Sequence, residues 1–136
     1  MYNGCMQDSI FTKIIKGEIP CHKVYEDGKV IAFLDIHPIQ PGHVLVVPKA
    51  QVDHFDSLDQ GDYDAVFAAV RRIAQRIKEV TGAQRACVRV EGFDVPHAHV
   101  HVYPCNSPQE FYGDRDRAQA EPDHAALAEM AAKLAV

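Results

Sequence analysis

Two apolar periodicities divide this chain. Val66, Phe67, Val70, Ile73, Ala74, Ile77 and Val80 recur at helical spacing, with Arg71, Arg72, Arg76, Lys78 and Glu79 mostly on the opposite side. They predict one long helix over Gln60–Thr81 whose basic residues form a solvated face. Asp59 stands before it as an N-cap and Gly82 after it as a C′ residue. The second pattern is strand-like. Val30-Ile31-Ala32-Phe33-Leu34 is apolar on both faces, which predicts a central strand covered on both sides, and His43-Val44-Leu45-Val46-Val47-Pro48 is nearly all apolar. Asp27-Gly28 is a hairpin signal joining a strand over 22–26 to one over 30–35. Residues 85–91 alternate in part and predict a further strand.

Shorter helices flank these elements. Ser9 can cap a helix over 9–16, with Ile10, Phe11, Ile14 and Ile15 on its apolar side and Gly17 past its end. After Pro104 the chain runs through Cys105-Asn106-Ser107-Pro108 into a charged, irregular stretch. A last helix is predicted over 122–134, with Pro122 in its first turn. Short connections between successive strands imply antiparallel pairing, so the expectation is an α+β domain of about five antiparallel strands with a long helix and shorter helices packed on one face. The 136 residues suffice for one domain and one core.

The run Val95-Pro96-His97-Ala98-His99-Val100-His101-Val102-Tyr103-Pro104 alternates histidine with apolar residues between prolines and predicts a strand that carries all three histidines. In a strand, His97, His99 and His101 would share one face at roughly 7 Å spacing, with Ala98, Val100 and Val102 facing a core. Three adjacent imidazoles would repel when charged and gain nothing over Thr or Val in packing. That argues against a purely structural cluster. Two chemistries stay open on the residues alone. A His-x-His pair can supply two zinc ligands, although the next acid after the run is Glu110. Alternatively, one imidazole can attack phosphorus while its neighbours donate to phosphoryl oxygens, without a metal. Read by themselves, Asp35 is as much a turn cap as a site residue, His43 is an incidental strand opener and His54 is surface.

Charge and composition narrow the partners. A net charge of -5 makes the chain a poor non-specific nucleic-acid binder. It leaves nucleotides open, since neutral groups and backbone amides can hold phosphate. No apolar run approaches the ~20 residues of a membrane span, and the N-terminus lacks the basic and apolar regions of a signal peptide. The expectation is a cytoplasmic protein. Cys5, Cys21, Cys87 and Cys105 are scattered and predict free thiols.

The heptad His97-Ala98-His99-Val100-His101-Val102-Tyr103 resembles the signature of the histidine triad family, in which apolar residues separate and follow three histidines. Ile10-Phe11-Thr12-Lys13-Ile14-Ile15-Lys16-Gly17-Glu18-Ile19-Pro20, Tyr25-Glu26-Asp27, Ala32-Phe33-Leu34-Asp35-Ile36 and Pro41-Gly42-His43-Val44-Leu45-Val46-Val47-Pro48-Lys49 resemble the same family in the same order, so the likeness spans residues 8–104 of a single domain over 1–136. The resemblance implies a nucleotide-binding homodimer that hydrolyses or transfers nucleoside monophosphate groups, needing no metal or cofactor. It makes His99 the nucleophile at the α-phosphorus, with His101 and His43 on phosphate oxygens and His97 on the leaving-group side. Asp35 would accept from the ribose hydroxyls, and Ile10, Phe11, Ile14, Ile19, Phe33 and Ile36 would form the slot for a purine base, the AMP or GMP moiety.

The substrates implied are phosphoramidates or acyl-adenylates. The alternatives are a dinucleoside polyphosphate hydrolase and a nucleotide-binding module with little turnover. Two departures matter. Phe93-Asp94-Val95-Pro96 is shorter than the matching segment of many members and carries no Gln or Ser, so substrate specificity does not carry over. Ser9 and Thr12 stand where some bacterial members have a zinc-binding Cys-x-x-Cys, so that zinc site is expected to be missing.

Overall fold

A computed structural model describes residues 7–113 and 120–136; Cys5 and the rest of the N-terminal expectation lie outside the described residues. Among these, no helix is long and apolar enough to cross a membrane. The chain forms α1 (Ile10–Ile15), β1 (Lys23–Glu26), β2 (Val30–Leu34), β3 (Val44–Pro48), a 3-10 turn (Phe55–Ser57), α2 (Gln60–Thr81), β4 (Arg85–Arg89), β5 (Val100–Cys105), α3 (Pro108–Tyr112) and α4 (His124–Leu134). The five strands make one antiparallel sheet in the order β1-β2-β3-β5-β4.

Local chemistry sets the element ends. The Asp59 carboxylate accepts from the Asp62 N–H at the start of α2, and Gly82 closes it in the left-handed region at φ 70°. Asp27 Oδ1 accepts from the main-chain N–H groups of Lys29 and Val30, which closes the β1–β2 hairpin. Gly42, at φ 98°, turns the chain into His43. The short α3 was not expected inside the stretch read as irregular; Ser107 caps it and Pro108 opens it.

The sheet is covered on both faces, as the doubly apolar run Val30–Leu34 predicts, with helices on each face and not on one alone. On one face Val30, Ala32, Leu34, Val44, Val46, Val100 and Val102 pack against Val66, Val70, Ile73 and Ile77 of α2 and Leu127, Ala131 and Leu134 of α4. Each fully buried aliphatic side chain here contributes about 1.5–3 kcal/mol of transfer free energy. On the other face Phe11 of α1 closes over Ile31, Phe33, Leu45 and Val47. That cover is one short helix, so the second layer is thin, and an open cleft lies beside it.

The histidine run needs a correction. Strand β5 starts only at Val100, so His101 alone of the three lies in the sheet, paired with Leu45 and Arg89. Alternation holds from there on, with Val100 and Val102 in the α2-side core. Upstream, the ladder has no partner to continue on. Pro48 has no N–H, and its carbonyl accepts from the His97 ring at 2.8 Å. The Ala98 N–H goes instead to the Val52 carbonyl at 2.7 Å. His97 and His99 therefore sit in an irregular segment.

Candidate active site

A cleft of about 310 Å³ opens between α1, the ends of β2 and β5, and residues 89–95. Ile10, Phe11, Ile14, Ile19, Phe33, Asp35, Ile36, His99 and His101 all line it. These are the expected base-slot residues, the ribose carboxylate and two of the three triad histidines. His97 and His43 do not line it. Both are buried behind the residues that do.

The hydrogen bonds assign the imidazole protons. The Ile39 main-chain N–H donates to His43 Nδ1 at 3.0 Å. A backbone amide can only donate, so Nδ1 is an acceptor and the His43 proton sits on Nε2. That proton points at His101 Nδ1, 2.9 Å away. His101 must then carry its own proton on Nε2. His99 Nδ1 lies 2.7 Å from the main-chain carbonyl of His97 and donates to it. The His99 lone pair is left on Nε2, the far end of a ring that lines the cleft. The two rings meet edge to face with centroids 4.9 Å apart. Phe11 packs edge-on against His99, also at 4.9 Å. An apolar cleft thus presents an imidazole lone pair beside an imidazole N–H, an arrangement that can attack an electrophile and donate to developing negative charge.

His97 is turned away from that chemistry. Its Nε2–H donates to the Pro48 carbonyl, and its Nδ1 lies 2.7 Å from the Ser9 hydroxyl. Burial holds its pKa below the usual imidazole value, and the neighbouring His99 adds to this against the Pro48 bond. Both ring nitrogens are spent on partners inside the protein and not in the cleft, whereas the expectation put His97 on the leaving-group side. His43 likewise acts against His101 rather than in the cleft. The Asp35 carboxylate has Oδ1 on the His37 N–H at 2.8 Å and Oδ2 3.6 Å from His43 Nε2.

Two clusters bear on metal binding. Ligand atoms of Asp35, His43 and His101 lie within 4.8 Å of one another. A metal there would need the lone pair of His43 Nε2, but the Ile39 N–H fixes the proton on that atom, so the set does not fit a cation. Ser9, Thr12, Gln51 and His97 also converge. Hydroxyls and an amide oxygen replace the soft ligands zinc prefers, and the group is bound together by its own hydrogen bonds.

Several residues here were not among the expected site residues, although Asp94 and Val95 lie in the shortened segment before the triad. Arg89, Glu91, Asp94, Val95 and Cys21 line the cleft. The Arg89 guanidinium lies over the Phe111 ring and donates to the Phe111 carbonyl at 3.0 Å, where the Tyr103 hydroxyl also donates at 2.7 Å. These contacts join β4 and β5 to α3, which the alternation of β4 could not show. Gln51 stood in a connection read only as polar.

A model of the HIT domain matches residues 16–107. Over 105 residues the chain is 39% identical to Protein hit of Bacillus subtilis, covering 74% of this chain and 72% of that one. It is 35% identical to the adenosine 5'-monophosphoramidase hnt1 of Schizosaccharomyces pombe, covering 76% and 77%. Among solved structures, a Hit-like protein from Bartonella henselae superposes with a TM-score of 0.84 at 33% identity, covering 93% of each chain. The domain match, the identities and the shared fold agree, and the chain belongs to the histidine triad family.

Proposed function

We propose that the chain is a nucleotide hydrolase or nucleotidyl transferase that acts at the α-phosphate of a purine nucleotide, with a phosphoramidate or acyl-adenylate as substrate. The observation that supports this best is the 2.7 Å bond from His99 Nδ1 to the His97 carbonyl, which commits the His99 lone pair to Nε2. The purine lies among Ile10, Ile14, Ile19 and Ile36, and the ribose hydroxyls donate to Asp35. His99 Nε2 attacks phosphorus and forms a P–N bond while the bond to the leaving group breaks. A leaving amine takes a proton from water. His101 Nε2–H stabilises the phosphoryl oxygens, with its tautomer set through His43 by the Ile39 N–H. Water then cleaves the nucleotidyl-histidine, releasing the nucleoside monophosphate and neutral His99. The relative named as an adenosine 5'-monophosphoramidase supports the substrate class.

The test is an alkaline quench of turnover on an α-³²P-labelled adenosine phosphoramidate. Label should stay on the wild-type protein and be missing from His99→Asn. Turnover that persists in His99→Asn, or that a chelator abolishes and zinc restores, overturns the reading. AMP binding without turnover of any nucleotide ester would leave only a binding module. Strand β4 is an edge of the sheet and exposes Val88, so we also propose a homodimer joined along β4 and α2. Sedimentation at twice the chain mass supports it, and a monomer overturns it.

A further inference from the structure

The direction of the His99 lone pair depends on the His97 carbonyl, and that carbonyl stands in a segment with no sheet ladder. Its main-chain ties are few: the His97 N–H to the Val95 carbonyl at 2.8 Å and the Ala98 N–H to the Val52 carbonyl at 2.7 Å. The rest of the restraint comes from side chains that do not reach the cleft.

We infer that Ser9, Thr12 and Gln51 form a polar clamp that positions the nucleophile, by locking the His97 ring and through it the carbonyl that orients His99. This rests on the reading of His99 as nucleophile. The Ser9 hydroxyl has two acceptors in reach, Thr12 Oγ1 at 3.3 Å and His97 Nδ1 at 2.7 Å, and the shorter contact to the imidazole is the one used here. Gln51 Oε1 accepts from the Ser9 N–H at 2.9 Å and from the Thr12 hydroxyl at 2.5 Å. Gln51 Nε2 donates to the Gln7 carbonyl at 2.8 Å. Flipping the amide would set its NH₂ against two donors and its oxygen against a carbonyl, so its orientation is fixed.

Thr12 spends its only hydroxyl proton on Gln51, so it cannot donate to His97 Nδ1, 3.4 Å away. That falls to Ser9 at 2.7 Å, while the Ser9 oxygen accepts from the Thr12 N–H at 3.0 Å. His97 Nδ1 is then an acceptor, and its remaining proton binds the Pro48 carbonyl. The route runs Gln51, Thr12, Ser9, His97, His99, with every link directed. Residue 51 holds the segment through side chains and residue 52 holds it through its carbonyl. Ser9 and His97 are buried, so an unmet partner here is costly.

The experiment uses the full chain with Thr12→Val, Gln51→Leu and the conservative Thr12→Ser. The first readout is the ¹⁵N NMR signature of the His99 tautomer without substrate. The second is kcat and KM on an adenosine phosphoramidate. Thr12→Val and Gln51→Leu should fold, show mixed His99 tautomers and lose about ten- to a hundredfold in kcat, with KM little changed. Thr12→Ser should restore the single Nδ1–H tautomer and wild-type kcat. Folded variants that keep one tautomer overturn the inference, as does a changed tautomer with unchanged kcat. Should the wild-type chain turn over no nucleotide, the tautomer readout alone decides whether the clamp exists, so the two failures stay distinct.

Discussion

The four histidines of the site fall into two pairs that are held by different means. His101 lies within β5, and His43 opens into β3 at the next residue. The ladder that pairs Leu45 with His101 fixes the main chain of His101, and His43, one residue before that ladder, is tied by the Asp35 N–H to its carbonyl at 2.9 Å and by its own N–H to the Gln40 carbonyl at 3.1 Å. His97 and His99 lie outside any ladder and are held by side chain and loop: Ser9, the Pro48 carbonyl and the His97 carbonyl. The sheet pair is placed by backbone pairing at the strand ends, with its rings oriented by the Ile39 N–H and by each other. The loop pair needs dedicated partners at 7, 9, 12, 48, 51 and 52. The division also separates the proposed roles, with the donor on the rigid sheet and the nucleophile on the clamped turn.

Replacing the proposed nucleophile should give the largest effect. His99→Asn should lower turnover of an adenosine phosphoramidate by about 10⁴-fold or more, while AMP affinity by calorimetry changes little. A smaller loss would move the nucleophile off the clamped segment. His101→Gln comes next, with an expected loss of about 10²- to 10³-fold in kcat, since it removes one donor to the phosphoryl oxygens. His43→Gln should do less than His101→Gln, because in the proposed mechanism His43 acts on the phosphoryl oxygens through His101. If His43→Gln were the more severe of the two, His43 would touch the substrate directly.

The same contrast explains what could be read beforehand. The long helix was legible because its apolar period and both caps, Asp59 and Gly82, agree. The strands β2 and β3 were legible because Val, Ile and Leu fill consecutive positions. Asp35 and the apolar slot could be placed once the family motifs were matched, but not from local pattern. The start of β5 was misplaced because alternation at His97 and His99 looks like a strand. What stops the strand is non-local: Pro48, some fifty positions away, has no N–H to offer and gives its carbonyl to an imidazole. Gln51 was illegible for the same reason, since its partners lie 39 and 42 residues distant.

A more modest effect belongs to Asp35, which sits at the end of β2 on the sheet side of the comparison. Asp35→Asn should raise KM about tenfold with kcat kept, the scale of one hydrogen bond to a charged acceptor. A 2'-deoxy substrate should cost wild type a similar factor and cost the variant little more. Independent, additive losses would show that Asp35 does not meet the ribose.

The smallest effect is on stability, and it isolates the clamped pair. His97 is wholly buried, and desolvation is the chief cause of its lowered pKa. In the unfolded chain its imidazole takes a proton near pH 6.5. The folded protein resists that proton, so below pH 6.5 the unfolded state binds more protons than the folded state. Stability from this group is therefore complete above that pH and declines as the pH falls toward the folded-state pKa. His97→Gln cannot titrate there. The gap in urea midpoint between wild type and His97→Gln should be widest at pH 7.5 and narrow by pH 5.5, because the other titrating groups are common to both proteins and cancel. A constant gap over that range would mean that the folded protein accepts the His97 proton as readily as the unfolded chain does. The Ser9 hydroxyl would then be an acceptor at His97 Nδ1, and the clamp would not direct the His99 tautomer through a neutral ring.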